Sequence, residues 1–318
     1  MISHDLQGMR DMMAPQTGRP VIFGEVLFDC FPDGSRVLGG APFNVAWHLQ
    51  GFGARPLFIS RIGRDALGEE VRAVMARWGM DCAGLQVDET HPTGVVEVKL
   101  AAGQPSYDIV PEQAYDFVAG ETAVAALADC PAALLYHGTL ALRHGDSRAA
   151  LTCLRRSLAQ VPVCVDINLR APWWDTDLVH EVLHGAAWAK LNDEELMAVS
   201  LPPPAPEPDE LRQAARALRQ RYGLETLIVT RGADGAWLVT ARECLEGKPV
   251  PVAEVVDTVG AGDAFAAVAL LGLMRGWAAG ETLDRALEFA ARLCTVRGAT
   301  LDDRTVYADC LQRWGEAP

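Results

Sequence analysis

The chain is poor in lysine: Lys99, Lys190 and Lys248 are the only ones among 28 basic residues. Acidic residues number 42, so the formal net charge is −14. A protein that displaces counterions from a polyanion needs a basic surface, so DNA or RNA is disfavoured as the main partner. No two of the eight cysteines stand at C-x-x-C spacing. A zinc knuckle or a thioredoxin-type pair is therefore not expected. Most of the cysteines sit in apolar runs, which suits buried thiols in a reducing cytoplasm. The longest apolar stretch, Ala264 to Met274, falls short of the ~20 residues that cross a bilayer. Residues 1–20 hold no apolar core of a secretory signal. They read as a loose tail, with Met9, Met12 and Met13 as alternative starts. What is present is apolar residue in quantity: half of the 318 residues, enough to bury a sizeable core.

The pattern along that core alternates. Val21 to Phe28 reads as one strand, and Gly39-Gly40-Ala41-Pro42 opens a helix to about Leu49. Pro42 falls in the first turn, where its missing N–H costs nothing. Pro56 to Ser60 is a short strand, and Leu67, Val71, Val74 and Trp78 mark an amphipathic helix closed by Gly79. Residues 93–118 read as strands with no helix between them, a small separate sheet. Further strands are predicted at 133–136, 162–167, 188–191, 225–230, 235–239 and 250–256, and helices at 146–160, 177–187, 208–222, 261–275 and 281–293. This alternation predicts an α/β fold, a doubly wound, mostly parallel sheet with helices on both faces. The proline-rich segment from Leu201 to Pro208 is a connector, too short to divide the chain.

Two strings carry chemistry. Asp257-Thr-Val-Gly260-Ala261-Gly262-Asp263-Ala-Phe265 lies between a predicted strand and a predicted helix. Its glycines let backbone approach a ligand closely. The N–H groups of Gly260, Ala261, Gly262 and Asp263 are expected to be free at a helix N-terminus, where an anion such as phosphate is favoured. Asp263 stands where it can take a proton from an attacking hydroxyl. The plainer alternative is a glycine-rich turn with an acidic cap. The second string, His180-Glu181-Val-Leu-His184, matches the H-E-x-x-H of zinc hydrolases. A zinc site needs a third ligand; no downstream residue stands out, Glu194 and Glu195 staying open by spacing alone. Zinc-dependent hydrolysis is the alternative from a different class.

Gly39-Gly40-Ala-Pro-Phe-Asn44-Val-Ala and the Asp257–Phe265 string together resemble the two signatures of the ribokinase-like (PfkB) carbohydrate kinases. Matching segments lie between them in the family's order: Arg61 to Gly68, Asp166-Ile-Asn168-Leu-Arg170, Lys190 to Glu195, and Thr230-Arg-Gly232-Ala-Asp-Gly235. The resemblance runs from about Val21 to Arg304. It implies ATP-dependent phosphorylation of a sugar hydroxyl by one α/β kinase domain, residues 21–318. A small β-sheet lid is implied, with strands from about 26–38 and 93–118. Within the family the match is closest to bacterial fructokinases: Gly24-Glu25 through Asp29 departs from the ribokinase pattern, and Asp166 to Arg170 followed by Trp173-Trp174 is similar to the fructokinase and 2-keto-3-deoxygluconate kinase pattern. 2-Keto-3-deoxygluconate kinase and ribokinase are the alternatives.

The resemblance also assigns roles. Asp29, Gly39, Gly40, Asn44 and Arg170 would bind the sugar. Asp263 would be the base, beside an anion hole of Gly260, Ala261 and Gly262. Lys190, Asn192, Glu195, Thr230, Gly232 and Gly235 would serve ATP. Glu195 would order Mg2+ through water, although Asn192-x-x-Glu195 is also a helix-capping pattern. Asp257 is a candidate for a monovalent cation such as K+; the short segment from Phe289 to Ala299 departs from the usual cation loop. The partners implied are a sugar and ATP, with neither nucleic acid nor membrane, and a homodimer paired through lid edges.

Overall fold

The computed structural model describes residues 17–101, 104–128 and 131–317. Most of the expected tail, residues 1–16, and Cys130 lie outside the described residues. The strands are β1 (Arg19–Phe23), β2 (Leu27–Cys30), β3 (Arg36–Gly39), β4 (Leu57–Gly63), β5 (Leu85–Asp88), β6 (Gly94–Ala101), β7 (Gln104–Ile109), β8 (Ala132–His137), β9 (Val163–Asp166), β10 (Trp188–Asn192), β11 (Thr226–Thr230), β12 (Ala236–Val239) and β13 (Cys244–Gly247). The helices are α1 (Ala41–Gly51), α2 (Ala66–Trp78), α3 (Gly120–Ala125), α4 (Gly145–Ser157), α5 (Thr176–Leu183), α6 (Asp193–Val199), α7 (Pro208–Tyr222), α8 (Ala261–Arg275), α9 (Ala279–Leu293) and α10 (Arg304–Arg313).

Nine strands form one sheet in the order β13-β12-β11-β10-β9-β8-β1-β4-β5, and four form another in the order β3-β2-β6-β7. The large sheet is parallel from β11 to β5, with β12 and β13 antiparallel at one edge. Its strands are buried on both faces because side chains alternate along them. Val21 and Phe23 of β1 enter a core with Leu151, Val182 and Leu218, from α4, α5 and α7. Ile22 enters the opposite core with Trp47, Phe265 and Leu283, from α1, α8 and α9. The apolar run Ala264–Met274 is the wall of that second core and is buried along its whole length. Among the described residues no helix is long and apolar enough to cross a membrane.

From β1 the sheet extends one way through β4 and β5 and the other way through β8 to β11. The strand order therefore switches direction between β1 and β8, and in such sheets a crevice opens beyond the C-terminal strand ends at that point.

Several expectations need correction. Val21–Phe28 is not one strand. It splits at Gly24, whose φ is +154° and whose added Cβ would stand 2.3 Å from Pro42 Cγ. The chain crosses there from the large sheet into the small one. Residues 250–256 form no strand. Pro249 and Pro251 have no N–H for a ladder, Val255 and Val256 lie exposed, and β13 takes the edge instead. The amides of Val256 and Asp257 donate to the Cys294 carbonyl at 2.9 and 3.3 Å. Residues 110–118 leave the small sheet and turn through a 3-10 segment at Ala114–Phe117. The boundary of the tail also shifts, since β1 begins at Arg19.

Candidate active site

The N-terminus of α8 lies at the crevice. Gly260 caps it with φ +78°, and a Cβ there would stand 2.5 Å from Ala299 Cα, so no other residue fits. The amides of Gly260, Gly262 and Asp263 have no acceptor among the described residues. The Ala261 amide does, contrary to expectation: it donates to the Thr258 carbonyl at 3.2 Å, because the chain closes a tight turn before the helix. Asp263 Oδ2 accepts from Asn44 Nδ2 at 2.8 Å, a bond between residues 219 apart in sequence that ties α8 to α1. Burial pushes the Asp263 carboxyl up to about 6; Asp166 adds to the rise, while the Asn44 bond, Lys190 and Arg170 oppose it. It is thus ionised at neutral pH yet basic for an aspartate, as a general base should be.

A cradle faces Asp263. A Cβ placed on Gly39 would lie 3.9 Å from Asn44 Oδ1 and 4.0 Å from Asp29 Oδ2, so the two oxygens flank one stretch of bare backbone. Asn44 Oδ1 is buried without a partner. Gly40 has φ +109°, and its added Cβ would stand 2.6 Å from the Glu25 carbonyl oxygen. Burial raises the Asp29 pKa and Arg170 lowers it. The field of Arg170, on the loop after β9, reaches Asp29, Asp263 and Glu25 alike. The structure therefore brings together Asp29, Gly39, Gly40, Asn44 and Asp263, with Arg170 reaching Asp29 and Asp263 through its charge.

The ends of β9 and β10 close the far side. Asp166 Oδ2 accepts from Lys190 Nζ at 2.7 Å and from the Tyr136 hydroxyl at 3.2 Å, while Asp166 Oδ1 is buried without a partner. Lys190 Nζ would sit 3.6 Å from a Cβ on Gly262, so the ammonium fronts the unengaged amides of α8. Burial opposes the lysine charge, but Asp166, with Glu195 and Asp263, more than offsets it and the Lys190 pKa is raised. Asn192 caps α6. The Glu195 amide donates to Asn192 Oδ1 at 2.7 Å and the Asn192 amide to Glu195 Oε2 at 2.8 Å, a complete capping box. Glu195 Oε1 accepts from the Leu169 amide at 2.7 Å, which anchors the loop bearing Arg170. Burial, then Asp166, raises the Glu195 pKa, against those amides and Lys190.

The model of the pfkB family carbohydrate kinases matches residues 20–305. The chain belongs to this family of sugar kinases. A fructokinase from Klebsiella pneumoniae is 30% identical to it over 280 residues, 80% of this chain and 84% of the relative. An aminoimidazole riboside kinase from Salmonella typhimurium is 30% identical over 298 residues, 87% of this chain and 89% of the relative. In fold, the kinase is similar to a fructokinase double mutant from Vibrio cholerae O395 in a fructose-, ADP- and potassium-bound form. The TM-score is 0.75 at 24% identity, covering 94% of this chain and 99% of that one.

The remaining motif residues of the kinase stand apart from the cradle. Asp257 accepts from the Val259 amide with Oδ1 and from the Gly298 amide with Oδ2, both at 3.0 Å, and so staples two loops. Thr230 ends β11, its hydroxyl 3.4 Å from the Leu191 carbonyl. Gly232 begins the 3-10 turn after it at φ +51°, in open space. Gly235 answers to packing: at φ +83° its added Cβ would meet the Gly247 carbonyl at 2.2 Å. The H-E-x-x-H string makes no continuous helical face. α5 ends at Leu183, short of the predicted 187, and His184 is extended. His180 is hydrogen-bonded to the Tyr222 hydroxyl, and Glu181 lies 3.9 Å from Arg148. Among the described residues no three histidine, cysteine or carboxylate side chains are grouped to hold a metal ion.

Sequence reading did not single out Glu25 and Asp166 as site residues. Both lie inside quoted motifs, Gly24 to Asp29 and Asp166 to Arg170, and that was the available signal. Their burial, at 3% and 2% exposed, is set by elements distant in sequence.

Proposed function

We propose that this kinase transfers the γ-phosphoryl group of ATP to D-fructose, giving fructose 6-phosphate, in the cytoplasm. The observation that carries this is Asp263, placed between the unengaged amides of α8 and the Asp29–Gly39–Asn44 cradle. Asp29 accepts hydrogen bonds from neighbouring sugar hydroxyls, and Asn44 accepts another while holding Asp263. Asp263 takes the proton of the attacking hydroxyl. The amides of Gly260, Gly262 and Asp263, with Lys190, meet the charge on the transferring group. Arg170 steadies the same charge and opposes the rise that burial imposes on the Asp29 and Asp263 pKa values.

The residues fit a divalent cation arriving with the nucleotide, since Asp166 Oδ1 is unpartnered and Glu195 lies within its field. Glu195 would hold that ion through water. Mg2+ bound with ATP supplies charge neutralisation at the phosphates. Potassium, present in the Vibrio cholerae structure, is assigned to the junction stapled by Asp257, whose oxygens each keep a free lone pair.

The small sheet is read as a lid that closes over the sugar and excludes water. Its edge strands β3 and β7, with exposed Val37 and Tyr107, suit pairing in a homodimer. The cytoplasmic assignment is supported by seven described cysteines that are all unpaired. The test is a set of initial rates with MgATP on D-fructose, D-ribose, 2-keto-3-deoxygluconate and aminoimidazole riboside. The expected result is the highest kcat/KM for fructose. A preference of about tenfold for another member would move the substrate and leave the kinase class standing.

A further inference from the structure

We infer that His48 is a positioning residue for phosphoryl transfer: its ring holds the Ala299 carbonyl, and through it the backbone against which Gly260, the cap of the anion hole, is packed. The inference rests on the kinase reading above, not on which sugar is used.

His48 lies on α1, one turn after Asn44, and is fully buried. Its ring stands edge-on against Phe289 of α9, with the centroids 5.2 Å apart. Both ring nitrogens have partners. Nε2 lies 3.0 Å from the Ala299 carbonyl oxygen, and Nδ1 lies 2.9 Å from the hydroxyl of Tyr307 on α10. A carbonyl only accepts, so Nε2 carries the proton. Burial keeps the ring neutral, its pKa lowered to about 4 against the Ala299 bond, so Nδ1 is bare. Nδ1 therefore accepts the Tyr307 proton. The Leu301 carbonyl, 3.0 Å from the same hydroxyl, is served without it, since Trp47 Nε1 donates there at 2.7 Å.

The carbonyl that His48 holds is the one that meets Gly260. A Cβ on Gly260 would stand 2.5 Å from Ala299 Cα and 2.9 Å from Ala299 O, and its nearest neighbours all belong to Ala299. No backbone amide among the described residues donates to this carbonyl, so the imidazole sets its direction. Asp257 ties Gly298, the residue before, and does not touch the atoms that face Gly260. α1 thus serves the site along its length. Its first turn follows the bare backbone of Gly39 and Gly40, Asn44 holds Asp263 at 2.8 Å, and His48 holds the backing of the anion hole. One helix therefore sets both the base and the phosphate-facing amides relative to the sugar. A misplacement of about 1 Å between reacting groups can cost about 10²-fold in rate.

His48→Phe keeps the aromatic packing and removes the donor. Expected is a kcat lowered about 10- to 100-fold, with the sugar KM unchanged because Asp29, Gly39 and Asn44 are untouched. His48→Gln carries an amide N–H that reaches the place of Nε2, and it should restore kcat toward that of the parent. A role in packing alone would lower Tm and leave kcat of the folded protein parental. A parental kcat in His48→Phe, or a His48→Gln protein no faster than His48→Phe, overturns the inference. Should the Phe variant not fold, His48→Asn decides. Its shorter amide reaches the Tyr307 hydroxyl but not the Ala299 carbonyl, and a parental kcat there overturns the inference. A second measurement needs no turnover. Nitrogen-15 NMR of the histidine rings, with His48 assigned by its loss in His48→Gln, should show a neutral ring protonated at Nε2. A proton on Nδ1 alone overturns the inference. A parent inactive on every sugar tested fails the kinase reading instead, and the NMR result then decides whether His48 holds Ala299.

Discussion

Asp263 and Asp257 show how two carboxylates six positions apart in one motif take different work. Asp263 enters the third position of α8 with one oxygen on Asn44 and a pKa of about 6. Asp257 spends both oxygens on loop amides. Asp263→Asn should lower kcat by ~10²–10⁴ while calorimetry still detects sugar and nucleotide binding. Asp257→Asn should mainly lower Tm, because an amide side chain offers one acceptor where two are used. A larger kcat loss in Asp257→Asn would reverse the assignment. As the proposed base, Asp263 works in its ionised form, so the parent rate should fall as pH drops through about 6.

At the scale of an element, adjacent glycines separate binding from folding. Gly40 is held at φ +109° against the Glu25 carbonyl, so Gly40→Ala must distort the turn between β3 and α1. The expected outcome is a substantial fall in Tm. Gly39 carries no such constraint, and a methyl there reaches only the 3.9–4.0 Å space between Asn44 and Asp29. Gly39→Ala should leave Tm near that of the parent and raise the sugar KM, with KM for MgATP unchanged. A Gly39→Ala protein with unaltered sugar KM would show that the cradle is not where the sugar lies. Element boundaries themselves were uneven in the sequence. α7 and α8 are legible to the residue because a first-turn proline or glycine and a left-handed glycine, Gly223 or Gly276, punctuate them. β5 and α10 show too few periodic apolar residues to announce themselves.

Across the whole molecule, buried groups of opposite tendency shape the response to acid. His48 and His137 are fully buried, and desolvation lowers each to about 4. They are neutral in the native state and protonate first in the unfolded chain, so their stabilisation is present above 6.5 and is lost as pH falls toward 4. Glu25 and Asp263 run the other way, since their raised native pKa values add stability as pH falls from about 7. The two pairs offset one another between about 6.5 and 4.5. Calorimetric Tm should accordingly be nearly flat in that window and drop steeply below it. A steady decline from pH 6.5 downward would mean that the carboxyls do not retain their protons in the native protein.

The family motifs nominated Asp29, Gly39, Asn44 and Asp263, while the sequence by itself determined the alternating α/β architecture, the separate small sheet and the helix that opens at Gly260. Those are readable because apolar periodicity, glycine at forced turns and a carboxylate at a helix start are local properties, written in consecutive residues. Only the tertiary structure decided the rest. It joined Asn44 to Asp263 across 219 residues, gave Asp166 its lysine, and buried Glu25 with one oxygen bare. It also denied the valines of 250–256 a strand to pair with, and ended α5 before the second histidine of its motif. The pKa of a carboxyl and the pairing of an edge depend on everything packed around them. Those sums run over residues far apart in the chain, and no window of sequence contains them.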